Sequence, residues 1–148
     1  MKPAPLQIAR YFVTDCHVTA SKQFKAGEKV ALDFDQLEIQ NGWKSVDTDR
    51  QWEVSLRVKF QPGPEVNTPY FFTLEVVGFF SVAPNYPEEK IERLVRTNGS
   101  SMLYGVVREV VREMTGRGPH AQMLLPSVSF VPPKSPVHEP VEAVKTSE

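Results

Sequence analysis

The side chains best suited to chemistry in this chain are Cys16 beside His17, Asp33 two residues before Asp35, and the separated His120 and His138. A thiol next to an imidazole could form a nucleophile–base pair. In a strand, however, consecutive side chains point to opposite faces. The spacing therefore predicts Cys16 as a small buried residue and His17 on the surface. Asp33 and Asp35 would share one strand face and so resemble a catalytic carboxylate pair, but the same spacing describes a solvated sheet face, and that is the reading taken. No His, Cys or carboxylate cluster has metal-ligand spacing. There is no phosphate-cradling glycine loop and no nucleophile elbow. Asn98-Gly99-Ser100 matches the sugar-acceptor pattern and reads instead as the start of a helix. The expectation is a protein that is not an enzyme and carries no cofactor.

Composition narrows the classes further. The 148 residues suit one domain with a real core, and 41% hydrophobic with 24% charged is an ordinary globular balance. A formal net charge of −1 argues against a nucleic-acid binder, which needs clustered Lys and Arg. A single cysteine allows no intrachain disulfide and fits a reducing compartment. Met1 to Arg10 has no apolar run long enough for a signal peptide, and no stretch approaches the roughly 18–20 apolar residues of a membrane span. These features predict a cytoplasmic protein with no membrane insertion.

Four stretches read as strands. Arg50 to Gln61 alternates most clearly, with Trp52, Val54, Leu56, Val58 and Phe60 on one face. Glu28 to Ile39 repeats the pattern through Val30, Leu32 and Phe34. Ile8 to Thr19 is rich in β-branched and aromatic residues, and Pro69 to Ala83 is the most apolar, with Gly78 predicting a bend or bulge. Asn41-Gly42 falls in a loop running to Asp49, and Pro62, Gly63, Pro64 and Asn67 predict a turn between the third and fourth strands. The period then changes. Pro87, Glu88 and Glu89 suit the first turn of a short helix, broken at Thr97 to Gly99. Ser100 to Thr115 reads as a longer helix with Leu103, Val107, Val111 and Met114 on one stripe and Gly116 ending it. The fold class is α+β: a four-stranded antiparallel sheet, meander or Greek-key-like, with a short and a long helix packed on one side.

The chain carries more apolar surface than that fold needs. Pro69 to Ala83 is apolar on both faces in places, as at Phe71-Phe72 and Phe79-Phe80. Pro119 to Pro133 is apolar but cannot form a helix across its prolines. Such a surplus suits oligomer burial or a groove for apolar ligands, and Met102, Met114 and Met123 suit an adaptable surface. Residues 134–148, rich in Pro, Glu, Lys and Ser, read as a disordered tail after a domain spanning 1–133.

Several segments, in order, resemble the SecB family of protein-export chaperones. Gln7 to Asp15 resembles its first strand, Val30 to Asp35 its second, and Gly78 to Val82 the end of its fourth. The series Met102-Leu103-Tyr104, Arg108-Glu109, Gly116-Arg117-Gly118-Pro119 and Leu125-Pro126-Ser127-Val128-Ser129-Phe130 resembles its long helix, turn and crossover segment. The resemblance covers roughly residues 6 to 131. It implies a cytoplasmic bacterial holdase for unfolded polypeptides in protein transport, assembled as a homotetramer, a dimer of dimers. By position, it implies a peptide-binding groove with Val30, Leu32 and Phe34 on the floor and Met123, Leu125 and Phe130 at the edge, while Val107, Val111 and Met114 serve the groove or an interface.

The family docks the translocation ATPase SecA through acidic residues on the open sheet face. Asp15 matches one such position and Glu75 lies on that face, but Thr19 and Thr73 hold two expected acidic positions. Pro132, Pro133 and Pro136 stand where the family's C-terminal helix would begin. These departures keep two alternatives open: a chaperone dedicated to one partner such as an antitoxin, and a small-ligand-binding or catalytic protein using the sheet–helix cleft.

Overall fold

The alternation in the middle of the chain dictates a sheet with one apolar face, and that is its form. A computed structural model describes residues 1–30 and 34–132. Strands β1 (Leu6–Ala20), β2 (Leu37–Val46), β3 (Thr48–Phe60) and β4 (Tyr70–Val82) form an antiparallel sheet in the order β1-β4-β3-β2. Strands β2 to β4 make a meander and β1 returns beside β4, the Greek-key-like arrangement expected. Val54, Leu56, Val58 and Phe60 of β3 and Tyr70, Phe72, Leu74, Val76, Phe80 and Val82 of β4 are all buried on one face.

On that face lies one helical rod. A 3-10 turn (Glu88–Lys90) leads into α1 (Ile91–Leu94), a π turn (Val95–Gly99) and α2 (Ser100–Gly116). The break expected at Thr97 to Gly99 is absent: Gly99 keeps helical angles, φ −60° and ψ −47°, and the helix widens into one π turn instead of stopping. Asn98-Gly99-Ser100 thus lies inside the rod. Ile91, Leu94, Val95, Leu103, Tyr104, Val107 and Val111 face the sheet and are buried.

Three sequence-based placements are corrected. The second strand starts at Leu37, not Glu28; residues 28–30 are irregular and Phe34–Gln36 form a 3-10 turn. Asn41-Gly42 lies within β2, and the reversal into β3 is a tight turn at Asp47, which has φ 61°. Aspartate tolerates that left-handed angle better than most residues. Gly78 marks no bulge in β4. A Cβ there would sit 2.8 Å from Leu103 Cδ2, so the glycine lets the helix approach the sheet. The register shifts fall on β1 instead, at Ala9 and Thr14. Residues 134–148 lie outside the described residues.

Candidate functional site

A helix about 10 Å across covers roughly two strands spaced about 4.8 Å apart. Here α2 packs chiefly on the central pair, β3 and β4. Both margins of the apolar face are therefore covered only in part. On β2, Leu37, Ile39 and Trp43 stand opposite Phe60, Val58 and Val54. The β3 partners are fully buried, and the β2 residues are half-buried. On β1, Ile8, Tyr11 and Val13 lie opposite Phe80, Gly78 and Val76 on the helix side. They remain 38%, 50% and 42% exposed. The helix stripe shows the same excess: Val106 and Val110 are half-buried, and Met102 and Met114 are exposed.

After α2 the chain runs back along the helix as an extended strap, held by side chains. Thr115 Oγ1 accepts from Met123 N at 2.9 Å, Arg108 Nε donates to Leu125 O at 3.2 Å, and Tyr104 Oη donates to Pro126 O at 2.6 Å. These anchors descend from the end of α2 toward its start, and Phe130 closes on the Tyr104 ring with centroids 6.0 Å apart. Burial raises the Tyr104 phenol pKa above its ordinary value, with Arg108 opposing in part. The strap begins at a second hub. Tyr70 Oη accepts from His120 N at 2.9 Å and lies 3.1 Å from Thr115 O and 3.2 Å from His120 O, to either of which it can donate. Gly118 fits only as glycine, because a Cβ would collide with the Tyr70 ring and hydroxyl.

Against this frame the residues assigned to the groove separate. Val107, Val111, Met123 and Leu125 are buried in the core cluster: the two valines sit under the helix, and Met123 and Leu125 are the strap's inward anchors. They offer no surface in the closed chain. Phe34 and Phe130 are half-buried, while Val30 and Met114 are exposed at 43% and 45%. Leu32 lies outside the described residues. The accessible apolar ledge thus consists of Phe34, Leu37, Ile39 and Trp43 along the β2 margin, with Val128 and Phe130 half-buried on the strap. Sequence reasoning missed Leu37, Ile39 and Trp43 because it put the strand's apolar face on Val30, Leu32 and Phe34, ended the strand at Ile39 and read Asn41-Gly42 as a loop. It also missed the β1 margin, although Ile8, Tyr11, Phe12 and Val13 are apolar with no clean alternation, which is the signal of a strand needing cover on both faces.

The chemical candidates do not converge. Cys16 is exposed, contrary to expectation, because the Thr14 bulge and the missing helix cover leave it on the bare β1 margin. Burial and the neighbouring Asp15 carboxylate raise its thiol pKa, so it is a poor nucleophile at neutral pH. His17 points to the other face, where its Nε2 lies 2.9 Å from Asp15. Asp35 sits in the 3-10 turn and not on a strand face, and Asp33 lies outside the described residues. His120 is a strap pin, 3.2 Å from Ser21 O and stacked near Phe24 and Tyr70. Among the described residues no group of His, Cys and carboxylates is placed to hold a metal. No helix among them is long and apolar enough to cross a membrane.

Asp15 and Glu75 lie on the open face of the sheet. Asp15, Glu75 and Arg57 stand in one row across β1, β4 and β3. Arg57 Nη1 lies 3.5 Å from Glu75 and 3.8 Å from Asp15, and Thr14 Oγ1 donates to Glu75 Oε1 at 2.9 Å.

The preprotein translocase subunit SecB family model matches residues 2–132. The chain belongs to the SecB family. Among solved structures, the SecB-like chaperone Rv1957 of Mycobacterium tuberculosis, in complex with a ChAD peptide from the Rv1956 HigA1 antitoxin, has a similar fold. The TM-score is 0.59 at 19% identity, covering 84% of this chain and 88% of that one. A Streptococcus agalactiae protein of unknown function gives a TM-score of 0.49 at 11% identity, covering 82% and 96%. No curated protein matches. Within this SecB-family fold, Asp15 and Glu75 are both contacted by one arginine. Arg57 offsets only one of the two carboxylates, and Thr19 and Thr73 beside them add no charge.

Proposed function

We propose that this SecB-family chain is a cytoplasmic holdase that takes up unfolded polypeptide and does no catalysis. One observation carries the reading: a single helical rod packs chiefly on two of four strands, so the sheet's apolar face is half-covered along β2 and exposed along β1. The β2 margin, with Phe34, Leu37, Ile39 and Trp43, is the client ledge, and Val128 and Phe130 of the strap add half-buried apolar surface. Many weak apolar contacts along a long client give avidity without sequence specificity and mask the surface that drives aggregation. The β1 margin is the assembly surface. A 15-residue edge strand with Tyr11, Phe12 and Val13 exposed is a liability in a lone chain. Pairing with a second copy removes it, and a dimer of dimers completes the homotetramer.

A denatured, slow-folding client should aggregate more slowly in the presence of this protein. Unchanged aggregation at molar excess of chaperone would sink the reading. A second reading, a chaperone dedicated to one partner such as an antitoxin, is favoured by the weakened acidic row: Arg57 already engages Asp15 and Glu75, and Thr19 and Thr73 stand where the family resemblance implies acids for SecA docking. Purification from the native cell separates the two: many clients with SecA support export, and one dominant partner supports the dedicated role.

A further inference from the structure

Where the strap ends, Val131 leaves the helix 55% exposed and lines a cavity of about 340 Å3. Tyr86 and Leu94 supply its other apolar walls, and Lys90, Arg93 and Thr97 of the π turn also line it. Neither Lys90 nor Arg93 has an ion-pair partner among the described residues, although Glu88, Glu89 and Glu92 share their helix. The Thr97 hydroxyl is buried and has no hydrogen-bond partner among them either. The cavity therefore offers apolar wall, two cations and a polar atom awaiting a partner.

We infer that the cavity is occupied by this chain's own C-terminal segment, with Val137 to Val144 as the docking stretch. Sixteen residues follow Pro132. The stretch Val137-His138-Glu139-Pro140-Val141-Glu142-Ala143-Val144 interleaves three valines with two carboxylates and has no Lys or Arg; the tail's cations, Lys134 and Lys145, flank it. Apolar and acidic groups thus meet apolar and basic ones. The reach is ample: seven residues from Pro132 to Glu139 span up to roughly 24 Å, whereas the cavity opens beside Val131. Tethering supplies an effective concentration on the order of millimolar. A contact with a dissociation constant of about 1 mM would then fill the cavity about half the time, so weak complementarity suffices.

The test uses the full chain and does not depend on the chaperone reading. Cys16 is replaced by Ser, and Val141→Cys carries a nitroxide label. Amide signals of residues 90–98 should lose intensity relative to the reduced, diamagnetic label. Glu139→Lys with Glu142→Lys should restore those signals, and adding Lys90→Glu with Arg93→Glu should bring the loss back. No loss at 90–98 overturns the inference. So does a loss indifferent to both charge reversals, or one seen only when label and isotope are on different chains.

Discussion

Tyr70→Phe removes one oxygen from the hub where the strap begins. Tyr70 is 2% exposed, so its ring has no room to turn away. Its hydroxyl receives the His120 N–H at 2.9 Å and is within donating distance of Thr115 O, a carbonyl at the end of α2 that also accepts from Gly118 N at 3.2 Å. Phenylalanine keeps the ring's packing and deletes only these bonds. Leaving a buried donor unpaired costs about 1–3 kcal/mol. For a chain of this length each kcal/mol lowers Tm by about 2–4 °C, so a fall of about 2–12 °C is expected. Thermal denaturation followed by circular dichroism reads the fall. Hydrogen exchange locates it: the Met123 amide, held on Thr115 Oγ1 at the same turn, should exchange faster than amides in the middle of β3. A Tm within about 1 °C of wild type, with Met123 still protected, would refute the hub's role in holding the strap.

Leu125→Asp should now unfold the chain or release the strap, because Leu125 is 3% exposed and truncation alone of a buried leucine costs about 2–5 kcal/mol, before an unpaired carboxylate is added. Phe34→Asp, at a half-buried position, should keep the fold and weaken suppression of client aggregation; a melting curve and a light-scattering aggregation assay tell the two apart. Tyr11→Asp with Val13→Asp should break the assembly into 16.7 kDa monomers by multi-angle light scattering with a native circular dichroism spectrum, since both side chains are exposed in the single chain. A tetramer that persists in this variant would contradict the assignment of the β1 margin. Stability should also fall at alkaline pH. Tyr104 and Cys16 have pKa values raised by folding, so their contribution is complete below the unfolded values and is lost as pH rises through the folded ones. Tm should be flat through neutral pH and drop above about pH 10. Tyr104→Phe, which cannot ionise, should show the shallower drop.

The sheet was legible because β3 and β4 repeat apolar residues at every second position, and such a pattern has one buried face however the chain is threaded. The helix was legible for the same reason at a period near 3.6. What failed lay where local signals compete. The residues before Leu37 alternate like a strand in sequence, yet 28–30 are irregular and Phe34 opens a 3-10 turn, whereas Trp43, which holds β2 to the helix through Glu92 at 3.2 Å and stacking under Arg96, is isolated among polar residues. Thr97-Asn98-Gly99 is a good helix breaker alone, and packing on the sheet overrides it. The strap was the hardest case. Its apolar residues announce burial but not direction, so Met123 and Leu125, which point inward, could not be told from Phe130, which lies at the rim. The opposite charges of Arg57 and its two acids are far apart in sequence, and only the three-strand register brings them together.

The manner in which the strap is held bears on how this protein can change. Its principal anchors are the backbone groups of His120, Met123, Leu125 and Pro126, gripped by Tyr70, Thr115, Arg108 and Tyr104 from the sheet and helix. Main-chain oxygens and amides are the same whichever side chains they carry. Residues 127–130 can therefore be exchanged for others of different size and polarity while the hooks keep their grip. The strap's apolar surface can then be recut by mutation of one short segment, leaving core, helix and sheet edges untouched. Inheritance of the hooks with free variation between them is a route by which a general holder of polypeptides becomes a specialist.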